Sequence, residues 1–475
     1  MLKEKIDLTI IVRFKLMVSE RSADSIIMEK NLTSGSVFGN IVTFSLPYLF
    51  SYFLQTLYGM ADLFIIGQFE GTASTTAVSI GSQVMHMLTV MIVGLAMGAT
   101  VGIGRAIGGN QRKEAARMIG NTTVLFSGIS VVLVGVLLLL VHPIVGLIST
   151  PQEAVAGTVS YLVICFLGIP FITAYNVLSS VFRGMGDSKS PMYFVAVACV
   201  TNIGLDYLFM GAFHMGPAGA ALGTTLAQVV SVCIAFAAIR KKNLGIPMKK
   251  EDFKPQGKIM GQLLQVGIPV ALQDGLIQVA FIIITIIANR RGLDTAAAVG
   301  IVEKMISFVF LVPSSLLSTV SALCAQNMGA GKYDRAKQTL GYAIVIAVCF
   351  GLFIGGVVQF AADGAVSLFS SDPEVIRLGG QYFRGYIWDC LFAGIHFSFS
   401  GYFCAYGKSV LSFIHNIIAI VCVRVPGVYL TSKLFPATLF PMGIATACGS
   451  LLSMIICLVA YAWLSKKDRE ETVEG

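Results

Sequence analysis

The chain has 475 residues, of which 56% are hydrophobic and only 12% charged, with a mean hydropathy of +0.81. Soluble domains carry roughly 25% charged residues, so this composition reads as an integral membrane protein. The net charge of +8 is not gathered into a basic face with aromatic platforms, which excludes nucleic acid as a partner.

Residues 1–36 mix charges with short apolar stretches such as Leu8–Val12, too short to span a bilayer. No small-residue cleavage site follows, so the segment reads as a flexible cytosolic tail rather than a signal peptide, with Met1, Met17 or Met28 as the start. Apolar runs of about 20 residues then predict twelve transmembrane helices. In the first half they lie at about 38–66, 76–104, 118–141, 155–182, 191–212 and 217–240. In the second half they lie at about 260–289, 296–324, 338–361, 376–404, 409–432 and 440–464. The expected division is an N-lobe over 37–240, a cytosolic inter-lobe loop over 241–259 with Pro247 and Pro255, a C-lobe over 260–464 and a C-terminal tail over 465–475.

Basic residues concentrate in alternate connections: Arg105, Arg112, Lys113 and Arg117; Arg183 and Lys189; Arg240 to Lys258; Lys332, Arg335 and Lys337; Lys408. The remaining connections hold only Arg290, Arg291, Arg377 and Lys433. That asymmetry predicts both termini inside. Ten cysteines are scattered singly, without CxxC or paired histidine spacing, so they read as apolar filler and no metal cluster is expected. His86, His396 and His415 read as isolated packing residues. The glycines at 102–109 miss the dinucleotide spacing, and Gly401 to Ser409 misses the P-loop spacing; both follow apolar helices, not strands. No nucleophile or acid–base pair stands out, so the chain does not read as an enzyme.

The halves repeat at an offset of about 221 residues. Leu46-Pro47 answers Ile268-Pro269, and the loop after Ala106 answers the loop after Asn327. Phe182-Arg183-Gly184 answers Phe403-Cys404-Ala405. An even number of helices per half makes the repeats parallel, giving two six-helix lobes about a pseudo-two-fold axis along the membrane normal.

Within this frame Asp206 is the most informative residue. It lies in an apolar run four residues after Asn202, so carboxylate and amide share a helix face. A charged group at that depth costs about 2.5–3.5 kcal/mol on insertion scales and usually faces a cavity. Gln55, Tyr58 and Asp62 share a face of the first helix in the same way.

These loops, the Phe182-Arg183-Gly184-Met185-Gly186-Asp187 run and Asn202…Asp206-Tyr207 resemble the multidrug and toxic compound extrusion (MATE) family over residues 37–464. The resemblance implies a V-shaped cavity and export of cationic amphiphilic drugs in exchange for H⁺ or Na⁺, by a monomer in the inner (cytoplasmic) membrane, with no cofactor beyond the coupling ion. It implies Asp62, Asn202, Asp206 and Thr224 as ion-coupling residues, and as Na⁺ ligands if sodium is the ion. Gln55, Tyr58, Asp274 and Asp389 become substrate-cavity residues, and Pro47 a hinge in the first helix. The seventh-helix glutamate of some members has Ile277 as its nearest match here, with Asp274 one turn earlier. Asp389 also sits one turn before the expected tenth-helix acid, so coupling is expected in the N-lobe. A lipid-linked oligosaccharide flippase of the same superfamily is the alternative, and would need a wide basic groove.

Overall fold

The computed structural model describes residues 31–241 and 246–474. Twelve helical segments follow in the expected order. They are α1 (Val37–Phe69), α2 (Thr72–Gly108), α3 (Arg112–Leu147), α4 (Gln152–Leu167 and Ile169–Gly184), α5 (Lys189–Ala212) and α6 (Gly216–Lys241). The second half holds α7 (Gly257–Asn289), α8 (Leu293–Gly329), α9 (Tyr333–Ser367), α10 (Pro373–Tyr386 and Trp388–Tyr406), α11 (Val410–Leu434) and α12 (Phe440–Glu474). Ten are long and apolar enough to span a membrane, and α4 makes an eleventh although it bends by 48° at Gly168. The exception is α10. It is helical where expected, but its two halves carry Arg377, Arg384, Asp389 and His396, which lowers its hydropathy below that of a lipid-facing span.

The outer surface explains the apolar runs: Val131, Leu139, Leu147, Phe353 and Phe360 are all exposed, as expected of side chains that meet lipid tails. The polar side chains turn inward. α5 and α11, equivalent under the repeat, each contain a π-helical turn, at Tyr207–Ala212 and Ile420–Arg424. Such turns insert an extra residue into the ladder and often accompany functional sites.

The two lobes meet where the chain termini lie. Close backbone approaches across the interface run from Gly94 with Ala271, through Gly98 with Leu263 and Gly267 with Leu95, to Gly108 with Gln326 and Gly329 with Arg105. All of them fall in the terminal-face halves of α2, α7 and α8, so the cleft between the lobes opens toward the opposite face. Two hydrogen bonds close this end. Arg105 Nε donates to the Ala405 carbonyl at 2.9 Å, and Gln326 Nε2 donates to the Gly184 carbonyl at 2.9 Å. Under the repeat, Arg105 corresponds to Gln326 and Gly184 to Ala405. The same bond is therefore made twice, once from each lobe. Each caps the carbonyl end of the opposite lobe's fourth helix, where partial negative charge accumulates.

Arg105 and Arg183 thus lie inside helices, not in the loops where their charge suggested. The N-terminal reading also changes. Residues 1–30 lie outside the described residues, but Asn31 to Ser36 are docked across the interface rather than forming a free tail. Leu32 is fully buried and its N–H donates to Gln326 Oε1 at 3.2 Å. Lys332 Nζ donates to the Thr33 carbonyl at 2.9 Å, and Arg335 to the carbonyls of Ser34 and Gly35. The described part of the inter-lobe loop packs on α3, where Asn121 accepts from Gln256 N at 2.7 Å.

This closure rests on glycine. A Cβ at Gly108 would overlap the Gln326 carbonyl, which is backbone and cannot step aside. Gly108→Ala is expected to push the lobes apart at the terminal face, by an overpacking cost of roughly 1–3 kcal/mol. Spin-label distances across this face should lengthen. Gly128→Ala, with open space around it, is the control, and identical distances in both variants would contradict the closure described here.

Candidate functional site: a carboxylate pair in the N-lobe

Asp62, Asn202, Asp206 and Thr224 come from three helices, α1, α5 and α6, and converge at one place inside the N-lobe. Asp62 is 3% exposed, Asn202 1% and Asp206 0%. The Asp62 carboxylate faces Asp206, Asn202 and Thr224. Thr224 Oγ1 donates to Asp62 Oδ2 at 3.2 Å. Asp62 Oδ1, both Asp206 oxygens and both polar atoms of the Asn202 amide have no hydrogen-bond partner. Asp206 is the last residue before the π turn and rests against Gly223 of α6, where any side chain would collide with Oδ1. The absence of a Cβ on α6 is what lets the second carboxylate reach the first.

Two carboxylates in one buried pocket repel when both are charged, and unpartnered buried oxygens are costly. A proton shared between them, or a small cation, removes both penalties. The oxygens present (carboxylate, amide and hydroxyl) are the donors a hard cation takes. No group of three or more His, Cys, Asp or Glu side chains that could hold a metal occurs among the described residues.

The predicted cavity residues divide. Gln55 and Tyr58 lie on the same α1 stripe as Asp62 and are partly exposed. Gln55 comes beside Tyr175 of α4, an aromatic that sequence reading did not single out. Asp274 is partly exposed and lies over Gly94 of α2, within the interlobe contact. Asp389 does not line the cleft. It is 0% exposed and ion-paired with Arg424, whose side chain is also buried. Arg424 is the repeat equivalent of Asn202, so where the N-lobe offers an amide to two acids, the C-lobe supplies its own cation to one. Arg384 is bound to Asp363 at 2.7 Å and takes no part. His396 and His415 are not isolated as expected: their rings lie 5.3 Å apart in the C-lobe, and His415 bonds Ser400 and Ser453. Pro47 sits within an uninterrupted α1, with Ser51 Oγ donating to its carbonyl at 2.8 Å.

The MatE family model matches the chain twice, over residues 47–208 and 269–430, once in each lobe. The chain belongs to the MatE family. Among curated relatives, it is 27% identical over 419 residues to the probable multidrug resistance protein YpnP of Bacillus subtilis, covering 88% of this chain and 93% of that one. It is also 27% identical over 425 residues to the multidrug export protein MepA of Staphylococcus haemolyticus, covering 89% and 93%. A solved structure described as MATE in the bent conformation superposes with a TM-score of 0.86 at 21% identity, covering 94% of this chain and 99% of that one. At that identity the match establishes the MatE fold: two lobes of helices in a multi-pass membrane protein. The two MatE copies begin at Pro47 and Pro269, the pair of helix prolines by which the repeat is first visible.

Proposed function

We propose that this protein is a secondary multidrug exporter. It carries amphiphilic organic cations out across the cytoplasmic membrane in exchange for H⁺ or Na⁺, with Asp62 and Asp206 as the coupling groups. The observation that carries this reading is the buried carboxylate pair with its five unpartnered polar atoms. The excess of basic residues in alternate connections supports termini inside, an orientation that turns the cleft outward in this conformation. The lobes are residues 37–240 and 260–464, and one chain holds the whole pathway, so the transporter works as a monomer.

With the carboxylates charged, the N-lobe wall attracts a cation, and Gln55, Tyr58 and Asp274 supply polar and aromatic contact to its body. A proton or Na⁺ entering from outside neutralises Asp62 and Asp206, the attraction is lost and the drug leaves. Drug and coupling ion thus oppose each other through one site, which is the linkage antiport requires. Each ligand moves the lobes only by its preference for one arrangement. The Pro47 carbonyl is held by Ser51, and the missing N–H of the proline leaves one rung of α1 open, a site where the helix can bend.

The test is dye uptake into everted membrane vesicles, whose exposed cytoplasmic face turns export into accumulation in the lumen, under an imposed proton or sodium gradient. Export should follow one of the gradients and collapse when that gradient is dissipated. Movement indifferent to both gradients would reject antiport.

A further inference from the structure

Arg183 ends α4 at the floor of the cleft and is only 6% exposed. Its guanidinium carbon lies 4.7 Å from the centre of the Tyr48 ring, with Tyr52 and Tyr175 as its other neighbours. Among the described residues no carboxylate pairs with it, whereas the other deeply buried arginine, Arg424, has Asp389. Its repeat equivalent is Cys404, so the architecture of a lobe does not itself demand a charge here. The hydroxyls of Tyr48, Tyr175 and Ser179 are also buried, and none has a hydrogen-bond partner. A stacked, buried guanidinium is expensive without an anion. The floor therefore gathers a guanidinium and several hydroxyls with no carboxylate among them.

Tyr48, Tyr52, Gln55, Tyr58 and Asp62 lie at helical spacing along one stripe of α1. Fourteen residues at about 1.5 Å per residue separate its ends by roughly 20 Å. The stripe begins at an arginine, passes over aromatic rings and ends at two acids. Tyr52 also hydrogen-bonds Ser318 of the C-lobe at 3.2 Å, so the floor belongs to both lobes and parts when they do.

We propose that Arg183, Tyr48, Tyr175 and Ser179 form a subsite for the carboxylate of an elongated zwitterionic amphiphile whose cationic end points toward Asp62 and Asp206. This rests on the exporter reading and extends it to a substrate class. Neutralising the acids releases only the cationic end, and the carboxylate end is freed when lobe movement breaks the floor at Tyr52 and Ser318.

The experiment uses two fluorescent probes built on one cationic xanthene with a linker that carries the carboxyl group roughly 20 Å away, one the zwitterionic free acid and the other its cationic ethyl ester, in everted vesicles. In parallel, binding of each is followed by fluorescence polarisation with the purified protein in nanodiscs. The wild type should bind and export both. Arg183→Gln should weaken binding of the acid, and raise its KM, about tenfold, the loss of one charged contact of about 1.4 kcal/mol, while the ester changes less than about twofold. Arg183→Lys should recover part of the acid's affinity, because it keeps the charge but not the planar fork. Equal losses for acid and ester, equal behaviour of the Gln and Lys variants, or a wild type that binds only the ester would each overturn the subsite. Binding of the acid through Arg183 without export of either probe would uphold the subsite and reject the exporter reading.

Discussion

Asp206→Asn is expected to lose gradient-driven export while the protein still folds and inserts. The amide is nearly isosteric, so the packing against Gly223 survives, but it can no longer exchange a charge for a proton or sodium ion. A coupling free energy of roughly 1–3 kcal/mol corresponds to a 5- to 150-fold loss of ion-dependent affinity. Asp62→Asn should do the same, since each acid is the other's partner across α1 and α5. The double variant should be little worse than either single one, because contacting groups in one network do not contribute additively. The sign of the pH dependence follows. In the wild type, cation binding weakens as pH falls, because protonation removes the charge that attracts the cation. In Asp206→Asn that dependence should flatten. Efflux rates and equilibrium binding across a pH series check both points, and a variant that exports with the wild-type pH profile would sink the assignment.

Arg424→Ala is expected to have the largest effect on stability. It would strand Asp389, a fully buried carboxylate, in the C-lobe interior. Breaking a buried pair by removing one partner typically costs about 3–5 kcal/mol. Replacing both members by apolar residues, Arg424→Met with Asp389→Leu, should recover much of that loss, since neither charge then needs compensation. Thermal unfolding of purified protein in detergent measures both. An Arg424→Ala protein as stable as the wild type would show that the pair carries no net stabilisation.

Much of this molecule was legible in the sequence because its strongest signals are local or periodic. Apolar runs located the helices, and the offset between Pro47 and Pro269 exposed the repeat. Spacing placed Asn202 with Asp206 and Gln55 with Asp62. What spacing could not supply was the meeting of those faces: that Asp62 reaches Asp206 depends on the bare surface of Gly223 one helix away. Charge was the misleading signal. Arg105 and Arg183 read as loop residues because they stand next to loops, whereas both lie in the last turn of helices that end at the interface. Asn31 to Ser36 read as tail because no apolar stretch in 1–36 is long enough to span, yet Leu32 is fully buried and the carbonyls of Thr33, Ser34 and Gly35 are what Lys332 and Arg335 bind. Asp389 read as a cavity acid because it sits one turn before the tenth-helix acid of some relatives, whereas its actual partner, Arg424, comes from another helix.

The central claim is that the Asp62–Asp206 pair trades one ligand for another. Its most direct measurement is ion release on drug binding. This can be followed by titrating the purified protein calorimetrically with a cationic dye, in buffers of different ionisation enthalpy and with and without Na⁺. The account predicts that wild-type binding releases protons, or is competed by Na⁺, and that Asp206→Asn does neither. Binding that releases no proton, ignores Na⁺ and is unchanged in Asp206→Asn would contradict it.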